Sequence, residues 1–158
     1  MVDIVELPAV PFAQCDFDPI RPSSTERMEG RRVESQSTGT PYWTASYKTG
    51  FLTREQAGRM SAFQMLCGDN GGVFRAYDID RQRPLMYLGG FPSGFSGNAT
   101  VRGFNNSRSV EVGSLPAAFQ LVVGDYLEIR KTALVRSLHR ITALSTASAS
   151  GVATIRFD

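Results

Sequence analysis

Thr53-Arg54-Glu55-Gln56-Ala57-Gly58-Arg59-Met60-Ser61-Ala62-Phe63-Gln64-Met65-Leu66-Cys67-Gly68 is the one stretch with a convincing helical signature, and its isolation decides the fold class. Thr53 and Gln56 form a capping box, in which each side chain satisfies a backbone N–H left free at a helix start. Ala57, Met60, Phe63 and Cys67 recur at steps of three and four, with Leu66 widening the apolar stripe. Glu55 and Arg59 are spaced as an i,i+4 ion pair. Gly58 costs up to about 1 kcal/mol against Ala and is expected to allow close packing on a sheet. Gly68 ends the helix as a C′ glycine, and Asp69-Asn70-Gly71-Gly72 continues as a turn.

Outward from this helix nearly everything reads as β. Upstream, Ile4 to Leu7 is a short strand broken by Pro8 and Pro11. Asp16 to Gly30, with Pro19, Pro22, Ser23 and Ser24, reads as an extended loop or arm. Arg32 to Ser35 and Tyr42 to Tyr47 alternate as strands, and Thr38-Gly39-Thr40-Pro41 predicts a hairpin between them. Downstream, Val73 to Tyr77 alternates and a glycine-rich loop covers Gly89 to Asn98. Further strands are expected at Ala99–Phe104, Ser109–Val112, Tyr126–Arg130, Leu134–Leu144 and Val152–Phe157. The expected fold is mainly β, a β-sandwich or β-barrel with one embedded α-helix over about residues 53–67. Residues 1–30 form an N-terminal arm on a single β-rich domain spanning 31–158.

The chain has 158 residues, 42% hydrophobic and 20% charged, an ordinary globular composition that excludes wholesale disorder. No run approaches the roughly 18 apolar residues of a membrane helix. The start, MVDIVELPAVPF, lacks a basic n-region and a long apolar stretch, so no secretory signal is expected. Net charge is only +2, yet residues 1–20 carry Asp3, Glu6, Asp16 and Asp18 with no basic residue. An acidic arm beside a basic body suits docking on a neighbouring subunit. All cations but Lys48 and Lys131 are Arg, a residue favoured at interfaces for its planar, bidentate head.

A search for chemistry finds little. The single histidine, His139, has no candidate nucleophile near it in sequence and reads as structural or surface. Cys15 and Cys67 lack metal-ligand spacing. Asp78 and Asp80 share one side of an extended segment, but Arg75, Arg81 and Arg83 surround them and ion pairing is the simpler use. The 89–97 loop has neither dinucleotide nor P-loop form. No catalytic residue, cofactor or metal is assigned, and a nucleic-acid footprint is missing at a pI of about 8.7. Trp43, Tyr42, Tyr47 and Tyr87 are candidates for stacking on sugars.

The most specific signal lies in the C-terminal third. Val123-Gly124-Asp125-Tyr126-Leu127-Glu128-Ile129 precedes Leu138-His139-Arg140-Ile141-Thr142 and Ser150-Gly151-Val152-Ala153-Thr154-Ile155. Together with Trp43, Gly50-Phe51-Leu52, Leu66-Cys67-Gly68 and Val73 to Asp78, this order resembles a family of tailed-bacteriophage tail proteins over about residues 40–158. That family's pattern commonly continues past the final strand, whereas this chain stops at Asp158, as expected of a shortened member or of one whose arm replaces what is missing. The resemblance implies a non-enzymatic structural protein of the distal tail or tail tip (baseplate). It would be made in the host cytoplasm and located in the virion tail. It implies three- or sixfold rings contacting tail-tube and hub proteins, without nucleic-acid contact or membrane insertion. In such families Gly-Asp-Tyr opens a strand after a tight turn, the Asp satisfying turn backbone. Loops 13–30 and 81–98 are expected to order on contact with neighbours. Asp16, Asp18, Arg31, Arg32, Phe91, Phe95 and Arg102 are the expected subunit-contact residues. The alternative is a carbohydrate-binding β-module in host-surface recognition. It expects Trp43 exposed among tyrosines, where the structural reading expects Trp43 buried against the helix.

Overall fold

A computed structural model of the chain describes residues 4–27, 33–39, 41–68 and 72–158. The fold is mainly β with a single α-helix, and its sheets are open. The chain divides into two compact units, Met1–Asp80 and Arg81–Asp158. No helix among the described residues is long and apolar enough to cross a membrane.

In the first unit, β1 (Ile4–Glu6) is followed by β2 (Phe12–Ile20), β3 (Ser23–Arg27), β4 (Val33–Ser37) and β5 (Tyr42–Thr49). Two strands, β2 and β3, thus occupy the segment read as a loop. They pair antiparallel with β5 and β4, Ile20 opposite Tyr42 and Ser23 opposite Ser37. Among the described residues the two pairings follow one another as a two-stranded ribbon made of two separate sheets, and β4 pairs with β3 and not, as the expected hairpin requires, with β5. Between the two sheets the Thr38 N–H donates to the Pro22 carbonyl at 3.0 Å. Pro22 and Pro41 each lack the N–H that an unbroken ladder requires.

Helix α1 (Arg54–Cys67) begins with the anticipated capping box, at 2.9 and 3.3 Å, and carries the Glu55–Arg59 pair at 2.6 Å. It is not embedded: none of its residues is buried. Gln56, Met60, Phe63 and Cys67 are half-buried, Phe63 meets Phe74 edge-on at 5.4 Å, and Leu66 points to solvent. No atom lies near the Cβ position of Gly58, so close packing does not explain that glycine. Gly68 keeps a negative φ of −57° and needs no left-handed backbone. Strand β6 (Val73–Arg75) then runs parallel to β1.

The second unit holds β7 (Thr100–Asn106), β8 (Ser109–Gly113), β9 (Gln120–Leu121), β10 (Tyr126–Arg130), β11 (Arg136–Arg140), β12 (Ser145–Thr146) and β13 (Ala153–Arg156). A three-stranded sheet runs β13-β8-β7, while β10 pairs with β11 and β12 with β9. The expected strand at Leu134–Leu144 is shorter, because residues 131–135 turn the β10–β11 hairpin. Val110, Val112, Leu115, Phe119, Leu121, Ile141, Ile155 and Phe157 form the core. Alternate residues of β8 and β13 supply much of it, as period-2 alternation dictates. Gly124, at φ +94°, makes the turn into β10, with the Asp125 N–H donating to the Val122 carbonyl at 3.2 Å.

Candidate functional site

Among the described residues of the four ribbon strands, β2 to β5, only Phe17 is buried. Along β2 the odd residues Cys15 and Phe17 face one side with Trp43 and Tyr47, and Phe17 is buried. Trp43 stacks on Phe17 at 5.1 Å and is half-buried there. It therefore meets a strand neighbour, which differs from both expectations for it. The Tyr47 hydroxyl donates to the Tyr77 carbonyl at 2.6 Å and accepts from the Tyr77 N–H at 2.9 Å, clamping β5 to the 77–80 segment. Burial pushes the Tyr47 phenol up. Burial likewise raises the Cys15 thiol; a backbone hydrogen bond from Ile79 opposes this, and the charges of Asp78, Asp80 and Asp16 add to it. Cys15 and Cys67 are both free thiols.

On the other face of β2, Asp16, Asp18 and Ile20 alternate, opposite Ser46, Thr44 and Tyr42. Both carboxylates are exposed. Gln14 Nε2 donates to Asp16 at 2.9 and 3.1 Å, and Lys48 Nζ donates to Gln14 Oε1 at 3.1 Å. The outer half of the ribbon, β3 with β4, is solvent-exposed at every residue. Arg31 and Arg32 lie outside the described residues.

The glycine-rich loop behaves differently from its expectation of ordering on a neighbour. Tyr87 stacks flat on Phe119 at 4.3 Å, Phe95 meets Phe119 at 5.1 Å, and Phe91 meets Phe95 at 5.4 Å. Phe91 and Phe95 are half-buried against the core of their own unit, with Arg83 over the Phe91 ring. Tyr87 is also engaged here, its hydroxyl accepting from the Gln120 N–H at 3.0 Å, and in the first unit Tyr42 lies on the opposite face of β5 from Trp43 and Tyr47. Arg102 stays exposed on β7, its side chain folded over Gly113.

Two surfaces went unnoticed in the sequence. The first is the end of the β10–β11 hairpin, where Leu134 and Val135 are 57% and 56% exposed beside Arg130, Lys131 and Arg136. Below this end, Glu128 accepts from Arg130 at 2.6 Å and from Arg136 at 2.9 Å. Burial pushes the Glu128 carboxyl up, but the hydrogen bonds and charges of Arg136 and Arg130 together outweigh it and hold the group below its usual value. The matched alternations 126–130 and 136–140 were the available signal for this hairpin.

The second is a short polar string around His139. Its Nε2 is 2.5 Å from Ser137 Oγ, two residues earlier on the same face of β11, a neighbour the sequence reading passed over. Its Nδ1 is 3.1 Å from the Asp158 backbone oxygen, and the ring packs on Phe157 at 4.6 Å. Chemically the string ties β11 to the last residue of the chain. Near Asp78, the side chain caps its own turn by accepting from the Asp80 N–H at 3.0 Å, while Arg75 pairs with Glu6 at 3.0 Å. Among the described residues no three His, Cys, Asp or Glu side chains gather in a way that holds a metal ion. Compared with known proteins, the chain matches no family model and no curated sequence.

Proposed function

We propose that this protein is a structural, self-assembling component of a phage tail, forming a ring at the distal tail or tail tip. The observation that carries the self-assembly is the ribbon of residues 12–49. Of its four strands only Phe17 is buried, and isolated two-stranded ribbons are marginal in water. Such a ribbon gains stability when a neighbour covers its faces or extends its edges. The neighbouring exposed residues Met65 and Leu66 in the last turn of α1 add apolar surface of the kind that contact sites use. The order of motifs from Trp43 to Ile155 supports the tail assignment.

The test is the solution mass of the full chain together with electron micrographs of the same sample. A closed ring of three or six copies is expected. A strictly monomeric chain at high concentration and low salt would overturn the reading. The carbohydrate-binding alternative is checked in parallel by titrating glycans against the fluorescence of Trp43, the one tryptophan. No spectral change is expected, and a saturable one would favour host-surface recognition.

A further inference from the structure

The two units carry opposite charge. Residues 1–80 hold eleven Asp and Glu against eight Arg and Lys, a net −3; residues 81–158 hold four against nine, a net +5. These sum to the chain's +2, so the near-neutral total conceals two units of opposite charge. Charge of this kind steers association and sets orientation more than it sets affinity. A chain with one acidic and one basic unit is complementary to a second copy in head-to-tail order, the arrangement from which rings close.

The local surfaces match in kind as well as in sign. On the acidic unit, Asp16 and Asp18 lie in line with Ile20 and its partner Tyr42 on one face of the ribbon, with the two apolar residues 38% and 52% exposed. On the basic unit, the β10–β11 hairpin ends in exposed Leu134 and Val135, with Arg130, Lys131 and Arg136 beside them. Each patch is thus an apolar pair next to like charges, and the signs are opposite. Glu128 offsets part of the hairpin's charge through Arg130 and Arg136, which makes Lys131 its most outlying cation. Lys48 stands on the ribbon face too, at the end remote from Ile20 and engaged with Gln14.

We propose that the β10–β11 hairpin of one copy docks on the Asp16–Asp18–Ile20–Tyr42 face of the next copy. This contact rests on the self-assembly reading and gives it a specific, heterologous interface. Leu134 and Val135 cover Ile20 and Tyr42 while Lys131 faces the two carboxylates.

The test uses two full-length charge reversals, Lys131→Glu and Asp16→Lys, with far-UV circular dichroism confirming that each folds. Each variant alone is expected to assemble about tenfold more weakly, because like charges then face each other across the contact. An equimolar mixture of the two is expected to assemble again, since the reversed hairpin of one variant matches the reversed face of the other. Wild-type assembly is expected to weaken as salt rises from about 0.1 M to 1 M, where the screening length falls from about 10 to 3 Å. An oligomer indifferent to salt and to both reversals would overturn this interface and leave the self-assembly reading standing. Variants that each weaken assembly but show no rescue on mixing would also overturn it. A wild-type monomer would overturn both. If the hairpin binds anionic vesicles and Lys131→Glu abolishes that without touching assembly, the hairpin serves a membrane surface and the proposal fails.

Discussion

Asp125 is the buried side chain on which the second unit's loops depend, and replacing it tests the reading of Gly124-Asp125 as a turn that completes its own hydrogen bonding. The residue is 4% exposed. Its Oδ1 accepts from the Leu85 N–H at 2.9 Å and its Oδ2 from the Val122 N–H at 2.8 Å. One carboxylate therefore closes the turn before β10 and anchors the Leu85–Tyr87 3-10 turn, forty residues earlier in the chain. Hydrogen bonds to a charged group contribute about 1.5–3 kcal/mol each, so Asp125→Ala removes roughly 3–6 kcal/mol. Both bonds are only partly buried, and water reaching the freed amides places the loss near the lower figure, about 3 kcal/mol. For a unit of this size that lowers Tm by roughly 12–24 °C. Asp125→Asn keeps one carbonyl acceptor but turns an NH2 toward the other donor, so about half the loss is expected. Thermal melts by far-UV circular dichroism read the size of the effect, and amide exchange at Leu85 and Val122 reads its location. A shift for Asp125→Ala below about 4 °C, the yield of some 1 kcal/mol, would refute the reasoning. So would unchanged protection of both amides.

Gly151→Ala is expected to be among the most damaging single-methyl additions, because a Cβ there lies 2.3 Å from the Leu115 carbonyl and the residue has φ +72°. A loss of at least about 1–3 kcal/mol in urea denaturation is expected. Gly58→Ala on α1, with no atom near its Cβ, should instead raise stability by about 0.5–1 kcal/mol. Ile141, almost fully buried and hydrogen-bonded through its backbone to Gly124 and Asp125, should lose about 2–5 kcal/mol on replacement by Ala, by the same assay. Glu128 has a depressed carboxyl in the folded chain, so its contribution is present above the unfolded value and lost as pH falls through the folded one. The Tm gap between wild type and Glu128→Gln should therefore be widest near neutral pH and close as the pH falls through the acid range below the ordinary Glu value, and a gap constant with pH would contradict the pairing.

The second unit was legible because its information is local. Val110, Val112, Ala153 and Ile155 alternate with polar neighbours, and Gly124-Asp125 and Gly151 stand where turns need them. Each of these signals is complete within a few residues. Helix α1 was legible in its ends and not in its burial. Thr53 and Gln56 settle where it starts, but whether a stripe of Ala57, Met60 and Phe63 is covered depends on how much sheet lies beneath it. Here that sheet is the short β1–β6 pair. Among the expected contact residues, Phe91 and Phe95 look like exposed loop aromatics until Phe119 and Tyr87 are brought beside them from outside the loop. A glycine-rich composition says that a loop is irregular and leaves open what it packs on.

The segment Asp16 to Gly30 reads as arm or loop for a physical reason. Ser23-Ser24-Thr25-Glu26-Arg27 has no apolar face, so hydrophobic periodicity does not single it out, whereas Arg32 to Ser35 reads as a strand and only its partner differs. What makes 23–27 a strand is backbone pairing with β4, Ser23 opposite Ser37 and Arg27 opposite Val33. Backbone pairing in water contributes only about 0.5–1.5 kcal/mol per hydrogen bond, against about 1–2 kcal/mol of chain entropy for each residue ordered. A ribbon in that balance is held chiefly by its Phe17–Trp43 end and is sensitive to anything that covers the remainder. The lack of an apolar face that hid β3 thus also leaves β3 and β4 without buried side chains, whereas the second unit has a core of its own.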